Sequence, residues 1–115
     1  MTTAGVRMAT REELEAQGFE EVCGLDQVGK VMPTRVNVAG RSVLLCWDGE
    51  RVRAVDELCP HKNRSMAYGV IFDGKIICPH HQYAFDLETG RCDHRAAPVN
   101  VYEVVVEEER VWVRS

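Results

Sequence analysis

The sequence predicts an all-β fold, an antiparallel sandwich or barrel with one short helix near its N-terminus. Short segments rich in β-branched and aromatic residues are separated by turns about every 8–12 residues, as is typical of such folds. Segments 101–107 (VYEVVVE) and 110–114 (RVWVR) alternate apolar and polar residues, as half-buried strands do. No repeat or linker interrupts the 115 residues, so we expect a single domain over 1–115.

The one predicted helix covers residues 10–17 (TREELEAQ). Thr10 is a suitable N-cap, and Glu13 stands three residues later, where it can complete a capping box. Gly18 follows the segment and can end the helix.

The other elements are predicted to be strands, most of them joined in hairpins. Asp73 and Gly74 form the dipeptide most typical of a two-residue hairpin turn. In chain order, the predicted strands are 19–23, 36–38, 41–47, 52–56, 71–72, 75–78, 83–86, 101–107 and 110–114.

Composition narrows the range of partners and compartments. No apolar run approaches the ~20 residues that span a membrane, and the N-terminus lacks the apolar stretch of a secretory signal. The net charge of −4 comes from residues 1–26, and the rest of the chain is balanced, so no basic surface for nucleic acid is expected. An odd number of cysteines, five, argues against a disulfide scaffold. We therefore expect a cytoplasmic protein without a membrane or nucleic-acid partner.

Two short motifs combine cysteine and histidine. Cys59 and His61 form a C-x-H pair, and Cys78 and His81 form a C-x-x-H pair sixteen residues further on. The first cysteine follows the strand-like segment 52–58 (VRAVDEL), and the second ends the strand 75–78. Both loops therefore begin where a strand stops, and rigid strand ends can hold two loops at a fixed separation. Two thiolates and two imidazoles delivered in this way indicate a four-ligand metal site.

These paired motifs, each with a proline directly after the cysteine, resemble those of the Rieske proteins. Members of that family hold a [2Fe–2S] cluster with two cysteines on one iron and two histidines on the other. The resemblance implies one cluster per chain, with Cys59 and Cys78 on the inner iron and His61 and His81 on the outer iron. It also implies a Rieske-like β fold with a cluster-binding subdomain inserted at about residues 57–98.

The same resemblance implies a low-potential member of the family. High-potential members carry two extra cysteines that form a disulfide, and here those positions hold Arg64 and His80. They also place hydroxyl groups near the cluster sulfurs, where this chain has Tyr83 and Phe85, and Phe85 cannot donate a hydrogen bond.

The function implied is that of a ferredoxin, which carries single electrons from a reductase to a terminal oxygenase and has no catalytic activity alone. One alternative is the small subunit of a cytoplasmic NAD(P)H-dependent nitrite reductase, bound permanently to its large subunit. A more remote alternative is a zinc-stabilised binding module. Zinc ligand pairs usually have two to four residues between them, whereas Cys59 and His61 have one.

Four further residues could take part in metal chemistry. Cys23 and Cys46 fall in strand patterns and are interpreted as small buried hydrophobic residues. The role of Cys92 is left open. His80 precedes the predicted ligand His81, and the motif spacing makes it a surface residue or a support for the ligands.

Overall fold

The computed structural model describes residues 10–60, 63–80, 83–92 and 97–115. Its elements, in chain order, are α1 (Arg11–Ala16), β1 (Glu20–Gly24), a 3₁₀ turn (Leu25–Gln27), β2 (Thr34–Val38), β3 (Arg41–Trp47), β4 (Val52–Asp56), β5 (Leu58–Cys59), β6 (Arg64–Ser65), β7 (Val70–Phe72), β8 (Lys75–Ile77), β9 (Ala84–Asp86), β10 (Val101–Glu107) and β11 (Arg110–Arg114). No helix in these ranges is long and apolar enough to cross a bilayer.

Six strands form an antiparallel sheet that curls into a nearly closed barrel. The order is β1-β11-β10-β4-β3-β2, and every pair in it is antiparallel. The edge strands β1 and β2 approach each other, and the Glu20 carboxylate at one edge accepts a hydrogen bond of 3.0 Å from the Ala39 amide just past the other. The predicted all-β architecture is confirmed.

The remaining strands form a second unit, inserted between β4 and β10. It consists of the two-stranded ribbon β5-β6 and the three-stranded sheet β7-β8-β9. The hairpin of β7 and β8 turns through Asp73 and Gly74, whose φ angles are 54° and 74°. Two successive residues with positive φ are the requirement of a type I′ turn, which explains the Asp-Gly sequence.

Strand β3 packs on one face in the barrel core and on the other face against the inserted unit. Val43 and Leu45 lie in the barrel core, whereas the alternate residues Leu44 and Cys46 lie in a second core with side chains of the inserted unit. All four side chains are fully buried. Because successive side chains of a strand point to opposite faces, a strand buried on both faces appears as a continuous apolar run, here VLLCW.

The helix packs on the outside of the barrel, against β11. Its predicted capping box is confirmed, with the Glu13 amide donating to Thr10 Oγ1 at 3.1 Å and the Thr10 amide donating to Glu13 Oε1 at 2.9 Å. Leu14 packs with Phe19 and Trp112 in a small core on the outer face of β11. The helix therefore covers an apolar face of the barrel that would otherwise meet water.

The predicted strand 52–56 has the bounds of β4, but the strand-like segment 52–58 that precedes Cys59 is not continuous. Strand β4 ends at Asp56, and the backbone hydrogen-bond partners of the chain change at Glu57. The Asp56 amide donates to the Asn100 carbonyl at 3.2 Å, whereas the Glu57 carbonyl accepts from the Met66 amide at 2.8 Å. Cys59 consequently belongs to the separate strand β5, which pairs with β6.

Glu57 joins the two units at this change of partners. It is a buried charged residue, 7% exposed, and its carboxylate accepts a hydrogen bond of 2.6 Å from the Ser65 hydroxyl of the inserted unit. Arg35 of the barrel lies 3.4 Å from the same carboxylate oxygen. Hydrogen bonds from Ser42 and Ser65, and then from Arg35, lower the pKa of Glu57 below its ordinary value. A buried carboxylate with these donors stabilises the junction as long as it stays ionised.

We expect Glu57→Ala to destabilise the protein by about 1–3 kcal/mol at neutral pH, because Ser42 and Ser65 lose their buried acceptor. The lowered pKa of Glu57 means that its contribution is complete above the unfolded-state value of about 4.3 and is lost as the pH falls through the folded-state value. Thermal melting followed by circular dichroism should show a lower melting temperature for the variant than for the wild type, and this difference should narrow below about pH 4.3.

The matched control is Glu50→Ala, which removes an exposed carboxylate from the turn between β3 and β4. Its free energy of unfolding should stay within about 0.5 kcal/mol of the wild-type value at every pH. Equal melting of the Glu50 and Glu57 variants would contradict a stabilising role for Glu57 at the junction.

Candidate metal centre

The first predicted ligand loop is held at its base by the cysteine's own backbone. Cys59 ends β5 and is 2% exposed. Its carbonyl accepts a hydrogen bond of 2.7 Å from the amide of Asn63, which has a positive φ of 54°. Arg64 then pairs with Cys59 across the β5-β6 ribbon. The loop therefore leaves and rejoins the ribbon at adjacent positions, which fixes the direction of the Cys59 side chain.

The second predicted ligand loop is closed in the same manner. Cys78 directly follows β8 and is 1% exposed. Its amide donates to the Tyr83 carbonyl at 2.8 Å, just before β9 begins. Gly69 lies against the end of β8, where a Cβ atom would come within 2.4 Å of the Ile77 carbonyl oxygen. Only glycine allows this close approach of backbone to the strand that carries Cys78.

The two cysteines share one apolar core. They are buried together with the cluster Leu44, Cys46, Val55, Met66, Ile71, Ile76, Phe85, Leu87 and Val99. Neither cysteine is in a disulfide. Two buried thiol groups on adjacent loops are suited to bind the iron that carries the cysteine ligands of a [2Fe–2S] cluster, because thiolates bind iron–sulfur clusters. The apolar side chains around them keep solvent away from such a site.

The predicted histidine ligands lie outside the described residues, so the structure gives no position for His61 or His81. Their described neighbours Pro60, Asn63 and His80 are exposed. The two loops thus carry their cysteines in the core and these neighbouring residues at the surface.

His80 contacts the first ligand loop. Its Nδ1 lies 3.4 Å from Arg64 Nη1, and both side chains are exposed. The interpretation of His80 as a surface residue agrees with this position. Sequence reasoning missed the contact with Arg64, although Arg64 follows His61 by three residues and His80 lies inside the second motif, and motifs that bind one cluster bring nearby residues together.

A third loop begins beside the same core. Gly90, with a φ of 79°, donates its amide to the Asp86 carbonyl at 2.7 Å and accepts from the Val99 amide at 2.9 Å. Cys92 forms an isolated bridge with Phe85 and packs against the shared core while remaining partly exposed. The segment 93–96 lies outside the described residues.

The other two cysteines are buried in strands, as predicted. Burial raises the pKa of Cys46 to about 12, and it also raises the pKa of Cys23. Both lie within strands and not in a predicted ligand loop, so they are consistent with small buried hydrophobic residues. Within the described ranges, no group of three or more His, Cys, Asp or Glu side chains lies close enough together to hold a metal, so no rival site is present there.

Comparison with known families agrees with this geometry. The sequence model of the Rieske [2Fe-2S] domain matches residues 18–106, which includes both motifs and the barrel strands around them. A curated relative, the ferredoxin component of a naphthalene 1,2-dioxygenase system from Pseudomonas aeruginosa, is 34% identical over 106 residues. That alignment covers 90% of this chain and 96% of the relative. Other curated relatives are much longer, and the chain spans only 16% to 18% of their length.

Two solved structures illustrate the similarity of fold. The ferredoxin of carbazole 1,9a-dioxygenase from Nocardioides aromaticivorans IC177 has a TM-score of 0.78 and 33% identity, over 84% of this chain and 97% of that one. A putative NADH-dependent nitrite reductase small subunit from Mycobacterium tuberculosis has a TM-score of 0.75 and 27% identity, over 83% and 92% of the two chains.

The family match covers residues 18–106, a range that includes both motifs, while the assignment of the four individual ligands stays a prediction. It favours a [2Fe–2S] cluster over the zinc alternative, and the buried cysteine pair is consistent with that choice. The chain belongs to the Rieske [2Fe-2S] family and binds a single [2Fe–2S] cluster.

Proposed function

We propose that this protein is a Rieske-type ferredoxin that carries single electrons between a reductase and a terminal oxygenase or similar enzyme. The observation that carries the proposal is the pair of ligand loops with buried cysteines, in a chain that spans 96% of a dioxygenase ferredoxin component. When bound, the cluster accepts and releases one electron. The rest of the chain holds and shields it, and the proposed role needs no catalytic residue.

The proposed ligands are Cys59, His61, Cys78 and His81, within a cluster-binding segment at about residues 57–98. Cys59 and Cys78 would hold the cluster from the side of the core, where their shared apolar surroundings exclude water. His61 and His81 would complete the set from the same two loops, as the family pattern implies.

A protein partner needs a surface beside the ligand loops, and an apolar groove lies there. It is lined by Tyr68, Val70 and Phe72 together with Cys78 and Pro79. Tyr68 is 78% exposed and Phe72 is 67% exposed, so the groove presents apolar side chains to solvent. A redox partner that covered this groove would lie beside the second ligand loop.

Removing a proposed ligand should abolish cluster binding. We expect Cys59→Ser and His81→Ala to lose the iron and the visible absorption, since each removes one of four bonds. The loss of metal affinity should exceed the roughly 10–100-fold loss that follows when a residue that only supports a ligand is removed. Iron content, absorption and electron paramagnetic resonance of protein purified without air would measure it.

Two matched variants serve as controls for these ligands. Cys92→Ser makes the same chemical change at a partly exposed cysteine, and His80→Ala makes the same change one residue before His81. Both should keep the colour. A coloured His81→Ala protein together with a bleached His80→Ala protein would show that the ligand assignment is wrong.

The nitrite reductase alternative is supported by the fold similarity to a putative nitrite reductase small subunit at 27% identity. The two roles differ in how the chain associates with its partner. We expect the protein, purified from its native host through an affinity tag, to elute as a chain without a stoichiometric partner, because a carrier must dissociate between its donor and its acceptor. Size-exclusion chromatography and the flavin and haem content would measure this.

Elution with a large subunit that contains both flavin and haem would instead favour the nitrite reductase role. A tagged known small subunit, purified in parallel under the same conditions, provides the control for whether such a complex survives the procedure.

The surroundings of the cysteines support a low reduction potential. Phe85 is fully buried in the same core as Cys59 and Cys78, so its position offers no hydroxyl to the cluster sulfurs. We expect a potential toward the ~−150 mV end of the Rieske range, above the ~−400 mV of plant-type ferredoxins. Film voltammetry would measure it, and a value near the ~+300 mV end would contradict this assignment.

A further inference from the structure

Arg64 connects the two ligand loops. It lies directly opposite Cys59 in the β5-β6 ribbon, and its Nη1 lies 3.4 Å from Nδ1 of His80 in the other loop. A guanidinium group can only donate hydrogen bonds, so the His80 Nδ1 atom must be the acceptor. The contact joins two positions sixteen residues apart in sequence, one three residues after the first motif and one inside the second.

The charge of Arg64 is not compensated by a carboxylate in the described part of the chain. Five other arginines, namely Arg11, Arg35, Arg53, Arg110 and Arg114, form ion pairs. Among residues 10–60, 63–80, 83–92 and 97–115, no acidic side chain lies within ion-pair distance of Arg64. The guanidinium group of Arg64 therefore places a positive charge next to Cys59.

We propose that Arg64 is a positioning residue that holds the second ligand loop against the first through His80 and favours the reduced state of the cluster by its positive charge. The inference rests on the proposed function, because it requires the cluster to lie between these loops. Reduction adds one negative charge, which a positive charge nearby stabilises. Since Arg64 is exposed, added salt should screen this effect.

Four variants of the cluster-loaded protein separate the two roles. Arg64→Gln removes the charge, Arg64→Lys keeps it, and His80→Ala removes the acceptor without removing the guanidinium. Arg51→Gln is the matched control, since Arg51 is an exposed arginine before β4, at the end of that strand away from Cys59. Film voltammetry at about 10 mM and at about 1 M salt, where the Debye length falls from ~30 Å to ~3 Å, would give each potential.

We expect Arg64→Gln to lower the equilibrium constant for reduction about threefold at low salt, which is roughly 28 mV at 59 mV per tenfold change. The difference should nearly vanish at high salt. Arg64→Lys and Arg51→Gln should keep the wild-type potential. His80→Ala should also keep it, but should lose its colour to an iron chelator about threefold faster, because the loops are no longer tied together.

Three results would overturn the proposal. An unchanged potential in Arg64→Gln, or an equal fall in Arg51→Gln, would remove the electrostatic role. A wild-type rate of cluster loss in His80→Ala would remove the positioning role. A wild type that gives no voltammetric signal and contains no iron would contradict the proposed function as well. The failure of the Arg64 proposal alone can therefore be distinguished from the failure of the proposed function.

Discussion

Burial of β3 on both faces joins the barrel to the ligand loops, and the rest of the structure depends on it. Val43 and Leu45 fill the barrel, while Leu44 and Cys46 contact the core that contains the two ligand-loop cysteines. Each large apolar side chain that is fully buried contributes about 1.5–3 kcal/mol. Because both cores use the same strand, a change that displaces β3 on one side also disturbs packing on the other. The cysteines of the predicted ligand loops therefore pack against a strand that is buried on both faces.

The ligand loops must satisfy two opposing requirements. A thiolate bound to iron needs shielding from water, whereas electron transfer needs a surface that a partner can approach. The fold resolves this by closing each loop with a backbone hydrogen bond at its cysteine, 2.7 Å at Cys59 and 2.8 Å at Cys78. The cysteines are thereby kept in the core while Pro60 and Pro79, the next residues along the chain, remain exposed. Glu57 fixes the first of these loops to the barrel through charged hydrogen bonds.

The sequence predicted those elements that local chemistry determines. Strands 101–107 and 110–114 have their predicted bounds because their alternation reflects one buried face, and the Asp73–Gly74 turn follows from its backbone angles. The ligand motifs are also local and lie within the range of the family match, although the assignment of the individual ligands stays a prediction. The break at Glu57, which places Cys59 in the separate strand β5, was not predicted, because hydrogen bonds to Asn100 and Met66, distant in sequence, determine it. The Arg64–His80 contact likewise depends on how two separate loops meet.

Arg64 and His80 lie at the surface, where substitutions can change the reduction potential of the cluster without disturbing the core. Residues that surround the cysteines in the core, such as Phe85 and Cys46, cannot change size or polarity without a packing cost. Arg64 and His80 are exposed, so substitutions there leave the core intact. A charge at position 64 can therefore be gained or lost at little cost in stability, and electrostatic adjustment of the cluster is easiest at this pair. The shared core holds the cysteines in place, whereas changes at Arg64 and His80 act on the contact between the two loops.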